Sequence, residues 1–356
     1  MLNLSLIKKR IKKEGETAEL LCLLSRYYNV KKKDYQKALE YAEKAISTDK
    51  NYGYAYFRKG AILYSLNKFE EAHIFLRKSK KLGYSNYELF GVLSHVLSKQ
   101  DDFQQALIYA NKAISYNEKY ANGYFVKGIS EYYLKDKENA LKSFFLAKKL
   151  GCKNGSLYEF ISYILYEKNE YGKALKYLSK AIKAQPDNSK LYCLEGYILY
   201  ELDKDAEAKE QLLKAEELGY KHDDLYCKLS YIYSMEKDYK TSLQYADKAI
   251  LVNPADDFAY HRKGYALLYM EKFKEAKKYY LKAEQLGYQY EGMFMHLAGL
   301  FCLESDFNTA LSYINKAIIK RSNDIDYYSL KAEILLNLGK QKEAEKCYKK
   351  ISKLKK

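Results

Sequence analysis

The residues best able to do chemistry are few in this chain, and they are scattered. Its five histidines, His73, His95, His222, His261 and His296, share no recurring carboxylate neighbour. Its six cysteines, Cys22, Cys152, Cys193, Cys227, Cys302 and Cys347, contain no C-x-x-C pair and are too sparse for a disulfide framework. They read as reduced thiols. No phosphate-binding glycine loop, H-E-x-x-H helix, dinucleotide fingerprint or G-x-S-x-G elbow is present. One series of soft ligands stands out: Cys193, Cys227, His261 and Met295, each 34 residues after the last. On stacked helices such positions lie roughly 10 Å apart, beyond the ~7 Å that a disulfide spans. Shared metal ligation would be similarly strained, so the series reads as ordinary lining of a surface. The expectation is no catalytic residue, no metal and no cofactor.

Whatever function exists must therefore come from a surface. The 356 residues include 2 prolines, 17 glycines, 41 tyrosines and no tryptophan. At 48% hydrophobic and 30% charged, the chain can build a core, and scarce turn residues favour helices. No apolar run is long enough to span a bilayer. The start, MLNLSLIKKRIKK, lacks the order of a secretory signal, so a cytoplasmic protein is expected. The net charge of +16 is uneven. Lys8, Lys9, Arg10, Lys12 and Lys13 stand without an acid at one end. Lys346, Lys349, Lys350, Lys353, Lys355 and Lys356 do so at the other. The basic character thus belongs to two ends rather than to the body, which weakens a nucleic-acid reading.

The body is one repeated unit. From Ala38, steps of 34 reach Ala72, Ala106, Ala140, Ala174, Ala208, Ser242, Ala276, Ala310 and Ala344. A second small-residue series lies seven residues later, from Ala45 through Ala317, broken at Ser79 and ending at Ile351. An aromatic series runs Tyr56, Phe90, Tyr124, Tyr158, Tyr192, Tyr226, Tyr260, Phe294 and Tyr328. Four residues after each aromatic comes Gly, Ser or Ala, from Gly60 to Ala332. Small residues seven apart share a helix face and let another helix approach closely. Each unit reads as two amphipathic helices that must stack on neighbours to bury their apolar faces. Four units also end in Leu-Gly-Tyr or Leu-Gly-Cys, at Leu82, Leu150, Leu218 and Leu286. This gives a second period of 68 residues, with the glycine as a left-handed helix cap.

With position 1 of the second unit at Gly53, the pattern is aromatic at 4, small at 8 and Ala at 20 and 27. It resembles the tetratricopeptide (TPR) repeat. Both prolines, Pro186 and Pro254, fall at position 32, as the family favours. The resemblance covers about residues 18–356 in ten units, with Tyr or Phe for the usual Trp and a one-residue insertion near "NVKKKDY". It implies an all-α, right-handed α-α superhelical solenoid whose first helices line a concave surface. Residues 1–17 form a basic segment, either a short capping helix over residues 2–13 or a frayed arm. The last helix, rich in lysine, would cap itself.

Helical geometry puts positions 4, 7, 8 and 11 on a buried stripe and positions 2, 5, 9, 12 and 13 on a more open one. The open stripe carries Tyr163, Tyr197, Tyr231 and Tyr265 at position 9. Position 12 carries Tyr64, Tyr132, Tyr166 and Tyr200, and position 5 carries Phe57 and Phe125. Nearby charges are mixed: Glu159, Glu167, Glu201 and Asp224 against Lys190, Lys228, Arg262 and a neutral His261. That is no continuous basic track for phosphates. The chaperone-tail clamp known in some TPR domains needs Lys and Asn at positions 5 and 9. Pairs such as Cys22/Arg26, Phe57/Ala61, Glu159/Tyr163 and His261/Tyr265 do not match it, and Arg58 and Arg262 at position 6 are isolated fragments. The expected function is a non-catalytic scaffold that binds a protein or peptide in a tyrosine-lined groove. The groove set is Tyr163, Tyr166, Tyr197, Tyr200, Tyr231, Tyr265, Glu159, Asp224, Lys228, His261 and Arg262. Nucleic acid is disfavoured as a partner and no membrane span is expected. The alternative is binding of nucleic acid or anionic surfaces by the basic ends.

Overall fold

The computed structural model describes residues 3–355. Met1, Leu2 and Lys356 lie outside the described residues, and with them the first residue of the expected capping helix and the last of the lysine run. Among the described residues there are 21 α-helices and no strand. Contacts divide the chain into two compact units, Met1–Pro186 and Asp187–Lys356. The first holds α1 (Leu4–Glu14), α2 (Ala18–Tyr27), α3 (Tyr35–Thr48), α4 (Gly53–Ser65), α5 (Phe69–Lys81) and α6 (Tyr87–Lys99). It continues with α7 (Phe103–Tyr116), α8 (Ala121–Tyr133), α9 (Lys137–Lys149), α10 (Ser156–Glu167) and α11 (Tyr171–Ala184). The second holds α12 (Ser189–Tyr200), α13 (Asp205–Glu217), α14 (Asp223–Met235), α15 (Tyr239–Val252) and α16 (Asp257–Tyr269). It ends with α17 (Phe273–Leu286), α18 (Glu291–Leu303), α19 (Phe307–Lys320), α20 (Ile325–Asn337) and α21 (Gln341–Leu354). Even-numbered helices from α2 to α20 are the first members of pairs, and each packs against the odd-numbered helix that follows. This is the all-α repeat class expected.

The two small-residue series are what let the helices meet. Every member of the Ala38 series is fully buried, Ser242 included. So is the later series from Ala45 to Ala317, and Ile351 at its end is also buried. The second helices start on a side-chain cap where position 16 is Asp: Asp34, Asp102, Asp136, Asp238 and Asp306 each accept the N–H three residues on. Gly83, Gly151, Gly219 and Gly287 adopt the left-handed conformation, with φ of 83°, 82°, 87° and 115°. The insertion in the first repeat is absorbed by a π-helical turn at Tyr28–Lys32, the usual device for one extra residue in a helix. In α1, Ile7 is buried and the helix packs against α2, while its lysines are exposed.

One expectation is corrected. The buried face of the first helices runs through positions 3, 8 and 10, with most of 11. Leu89, Leu157, Leu191, Leu225 and Met293 at position 3 are almost wholly buried. Position 4 lies at the edge of that face. Phe90, Tyr226 and Phe294 are buried there, but Tyr56 and Tyr328 are half-buried and donate their hydroxyls to the carbonyls of Lys50 and Ser322. Position 5 is not open either. Phe57, Phe125, Cys193, Cys227 and His261 are all buried. In the units ending Leu-Gly-Tyr, the tyrosine at position 32 folds back over position 5. Tyr84 lies 5.3 Å from Phe57 and Tyr288 lies 4.6 Å from His261, centroid to centroid.

Candidate functional site

In Met1–Pro186, α10 carries Glu159, Tyr163 and Tyr166. Tyr163 is exposed and the other two are half-buried. Tyr163 meets Tyr132 of α8 at 6.2 Å and Tyr166 at 6.4 Å, both edge-on. Phe160 joins the same cluster beside Tyr132 and Tyr133. This is an aromatic patch with two accessible rings, Tyr133 and Tyr163.

In Asp187–Lys356, three successive first helices bring most of the remaining expected residues together. From α12, Tyr200 meets Tyr231 of α14 edge-on at 5.5 Å. The Lys228 ammonium lies 3.9 Å from the centre of the Tyr200 ring and 5.5 Å from that of Tyr197, and it pairs with Glu201 at 3.6 Å. From α16, the Arg262 guanidinium sits between Tyr231 and Tyr265, at 5.1 and 5.0 Å. The result is a row of tyrosines alternating with cations, each contact favourable because a ring face is negative. Asp224 is not part of the row. It is exposed in the first turn of α14, 3.8 Å from His222.

Electrostatics separate these groups. Burial, and then the neighbouring Arg262 charge, push the His261 pKa well below its usual value, so the ring is neutral. Burial alone brings His296 to about 4. Burial also raises the Tyr200 hydroxyl to about 12, so it is a donor and not a charge. The same cause raises the thiols of Cys22 and Cys193 to about 12. Thiols held protonated are poor nucleophiles and poor metal ligands at neutral pH. The potential metal-ligand cluster found among the described residues, His222, Asp223 and Asp224, lies at the start of α14, with His222 and Asp224 exposed.

The row opens into a cavity of about 460 Å³. Tyr200, Tyr231, His261, Arg262 and Tyr265 line it, as expected groove residues. Met295, read with the soft-ligand series as surface lining, lines it too, whereas sequence reasoning missed Tyr269, Tyr288, Tyr290 and His296, and Asp324, Asp326 and Tyr327. The signal for Tyr288 was present in Leu-Gly-Tyr, whose tyrosine stands where the family pattern has proline.

The TPR_8 tetratricopeptide repeat model matches residues 18–52, 87–120, 155–188, 223–256, 259–286 and 325–356, together more than half of the chain. The chain belongs to the tetratricopeptide repeat family. No curated protein matches it. Among solved structures, it is similar to a chain of the APC/C hetero-tetramer Cut9–Hcn1, with a TM-score of 0.52 and 14% identity. That match covers 93% of this chain and 66% of the other, so this chain spans a little under two thirds of that relative. It is also similar to Pseudomonas aeruginosa pilF, with a TM-score of 0.50 and 18% identity, covering 56% of this chain and 91% of the other. At these identities the likeness is one of fold. TPR arrays are protein-interaction scaffolds as a family. Among the described residues of this one, no helix is long and apolar enough to cross a membrane.

Proposed function

We propose that this TPR chain is a non-catalytic, cytoplasmic scaffold that binds protein or peptide partners through the tyrosine-bearing faces of its first helices, within a single ten-repeat solenoid. The observation that carries the reading is the alternating row Tyr200, Lys228, Tyr231, Arg262 and Tyr265 on three consecutive first helices. Tyrosine offers a rigid apolar ring with a polar tip, so it contributes contact area at low ordering cost. Helices already stacked hold those rings in place before a partner arrives, which lowers the entropic cost of binding. Tyr163 and Tyr166, with Glu159, supply a second anchor patch.

The test is capture of partners from nuclease-treated lysate by the native chain and by Tyr200→Ala/Tyr231→Ala/Tyr265→Ala, with Tyr163→Ala tested separately. Equal helix content and equal melting must be confirmed first. Retention of a protein by the native chain alone supports the reading. Equal capture by all variants refutes it. The second reading, an anionic partner held by basic surface, draws on the exposed lysines of α1. It predicts binding that falls steeply with salt, which tyrosine-anchored binding does not.

A further inference from the structure

The cavity in Asp187–Lys356 holds a buried positive charge that no carboxylate among the described residues pairs with. Arg262 is 3% exposed. One terminal nitrogen donates to the Ser230 carbonyl at 3.2 Å and to the Ser234 hydroxyl. Its Nε has no hydrogen-bond partner among the described residues. The side chains acting most on it, after its own burial, are Tyr265, Tyr280, Cys227 and Tyr231, none of them a carboxylate. A buried cation is ordinarily paired, because losing water without a counter-charge is costly.

Its neighbour in sequence is in the same condition. His261 is 5% exposed, and neither ring nitrogen has a partner among the described residues. Both residues line the cavity. As a neutral ring, His261 presents one donor and one acceptor. The wall around them is aromatic and apolar: Tyr265, Tyr288, Tyr290 and Met295. Concave, mostly apolar sites with a few converging polar groups are the usual form of organic ligand sites.

Charge balance narrows the ligand. The cavity offers one cation in its wall. Of the two acids on its wall, Asp324 pairs with Arg321 at 3.6 Å and accepts the Asp326 backbone N–H at 3.0 Å, and Asp326 is exposed to solvent. Two carboxylates disfavour a dianion such as phosphate, whereas a single carboxylate matches the single guanidinium. Arg58 provides an internal contrast. It holds the same repeat position, is 5% exposed and also has unpartnered nitrogens. It does not line the open pocket near it, whose wall includes the Arg26–Glu88 ion pair.

We propose that this cavity binds an aromatic monocarboxylate. The carboxylate is received by Arg262 and His261, and the ring lies among Tyr265, Tyr288 and Tyr290. The same chemistry occurs in a free aromatic acid and in the C-terminal residue of a protein. In the second form the inference deepens the scaffold reading and rests on it.

The chain has no tryptophan, so a naphthalene probe can be read by its own fluorescence. The probes are 2-naphthylacetate and its neutral amide, and the peptide acetyl-Gly-Ser-Gly-Ser-Phe with a free or an amidated C-terminus, the peptides read by displacement or calorimetry. The expected result is an acid bound at least about tenfold more tightly than its amide, a difference of ~1.4 kcal/mol. Arg262→Gln should abolish that preference, and Arg58→Gln should leave it intact. Preference in the naphthyl pair alone assigns a small acid. Preference in the peptide pair alone assigns a protein C-terminus. Acid and amide bound equally, or neither acid bound at millimolar concentration, overturns the proposal, as does a preference that survives Arg262→Gln. If Arg262→Gln does not fold, the acid–amide comparison on the native chain decides, with Tyr290→Ala at the exposed cavity rim expected to weaken the acid. A failure here, with tyrosine-dependent capture of a partner intact, removes the anchor and leaves the scaffold standing.

Discussion

Gly196 marks the closest approach of α12 to α13, and enlarging it should damage the repeat locally. A Cβ built there falls 2.6 Å from Leu212 Cγ, 2.7 Å from its Cδ2 and 3.2 Å from the Ala208 carbonyl oxygen. Leu212 and Ala208 are fully buried, so the leucine has little room to turn and the carbonyl moves only with its helix. Overpacking of this kind costs about 1–3 kcal/mol. Alanine regains ~1 kcal/mol over glycine in helix propensity, so Gly196→Ala should destabilise by about 1 kcal/mol. Gly196→Leu, which adds three more carbons against the same wall, should reach about 3 kcal/mol or more. In a repeat array stability is largely a nearest-neighbour sum. Hydrogen exchange in Gly196→Leu should therefore accelerate in α12, α13 and α14 by roughly 100-fold, while α18–α21 keep their protection. Uniform loss of protection from α12 to α21 would refute the nearest-neighbour argument. Unchanged exchange would refute the packing argument itself.

Lys135, Lys237 and Glu271 stand in the left-handed region, with φ of 67°, 62° and 60°. Each should be stabilised by replacement with glycine, by up to about 1 kcal/mol after glycine's entropic cost; urea midpoints that fall in all three would sink this. His95 and His296 are both brought to about 4 by burial, below the unfolded value of about 6.5. A lowered histidine pKa means that stability is complete above the unfolded value and is lost as pH falls from about 6.5 towards 4. At pH 5 each should cost on the order of 1–2 kcal/mol, and an unfolding midpoint equal at pH 7 and pH 5 would contradict it. Glu216 accepts from Tyr245 at 3.1 Å and from Lys248 at 2.6 Å, whereas the matching Lys148 donates to Tyr177 at 3.2 Å beside Lys180. Glu216→Lys should therefore destabilise and Lys148→Glu stabilise, each by about 0.5–1 kcal/mol given the exposure of the lysines. Equal signs in thermal melts would show that the tyrosine, not the charge, holds that contact.

The repeat was legible because its constraint is steric and recurs at one spacing. Ala38 and its equivalents are fully buried between helices, where only alanine or serine occurs, so residue type alone marks the register. Other features recur just as strictly in backbone and were hidden because residue type varies. The left-handed turn between paired helices falls at Asn67, Asp101, Lys135, Asn169, Asp203, Lys237, Glu271, Ser305 and Gly339, every 34 residues. Lysine, glutamate and serine there carry no sequence signature of positive φ. The inner face was misread by about one position for a different reason. Helix periodicity fixes which residues share a stripe, but the stripe that is covered depends on a neighbouring segment. Tyr84 and Tyr288, outside their first helices, cover Phe57 and His261. That contact is tertiary, and no periodicity within a single helix can report it.

The internal repeats also supply a comparison that a single-copy fold lacks. Position 6 is filled by Val126 at 1% exposure and Leu194 at 6%, and by Arg58 at 5%, so the scaffold accepts an apolar side chain there without requiring one. Arg262 at the same position is equally buried. Its two bonds to Ser230 and Ser234 satisfy one nitrogen but provide no counter-charge. Replacing a buried ionic group by an apolar one of similar size is often neutral or stabilising, and sibling repeats show that this fold accepts the apolar choice. Arg58 is an equally buried arginine with unpartnered nitrogens at this position that does not line the pocket near it, so what distinguishes Arg262 is the cavity it lines. The same holds one residue earlier, where His261 occupies a position that Phe57 and Phe125 fill with carbon alone. Two adjacent departures from the scaffold's own apolar solution, both lining one aromatic cavity, are accounted for by a ligand carrying an anion.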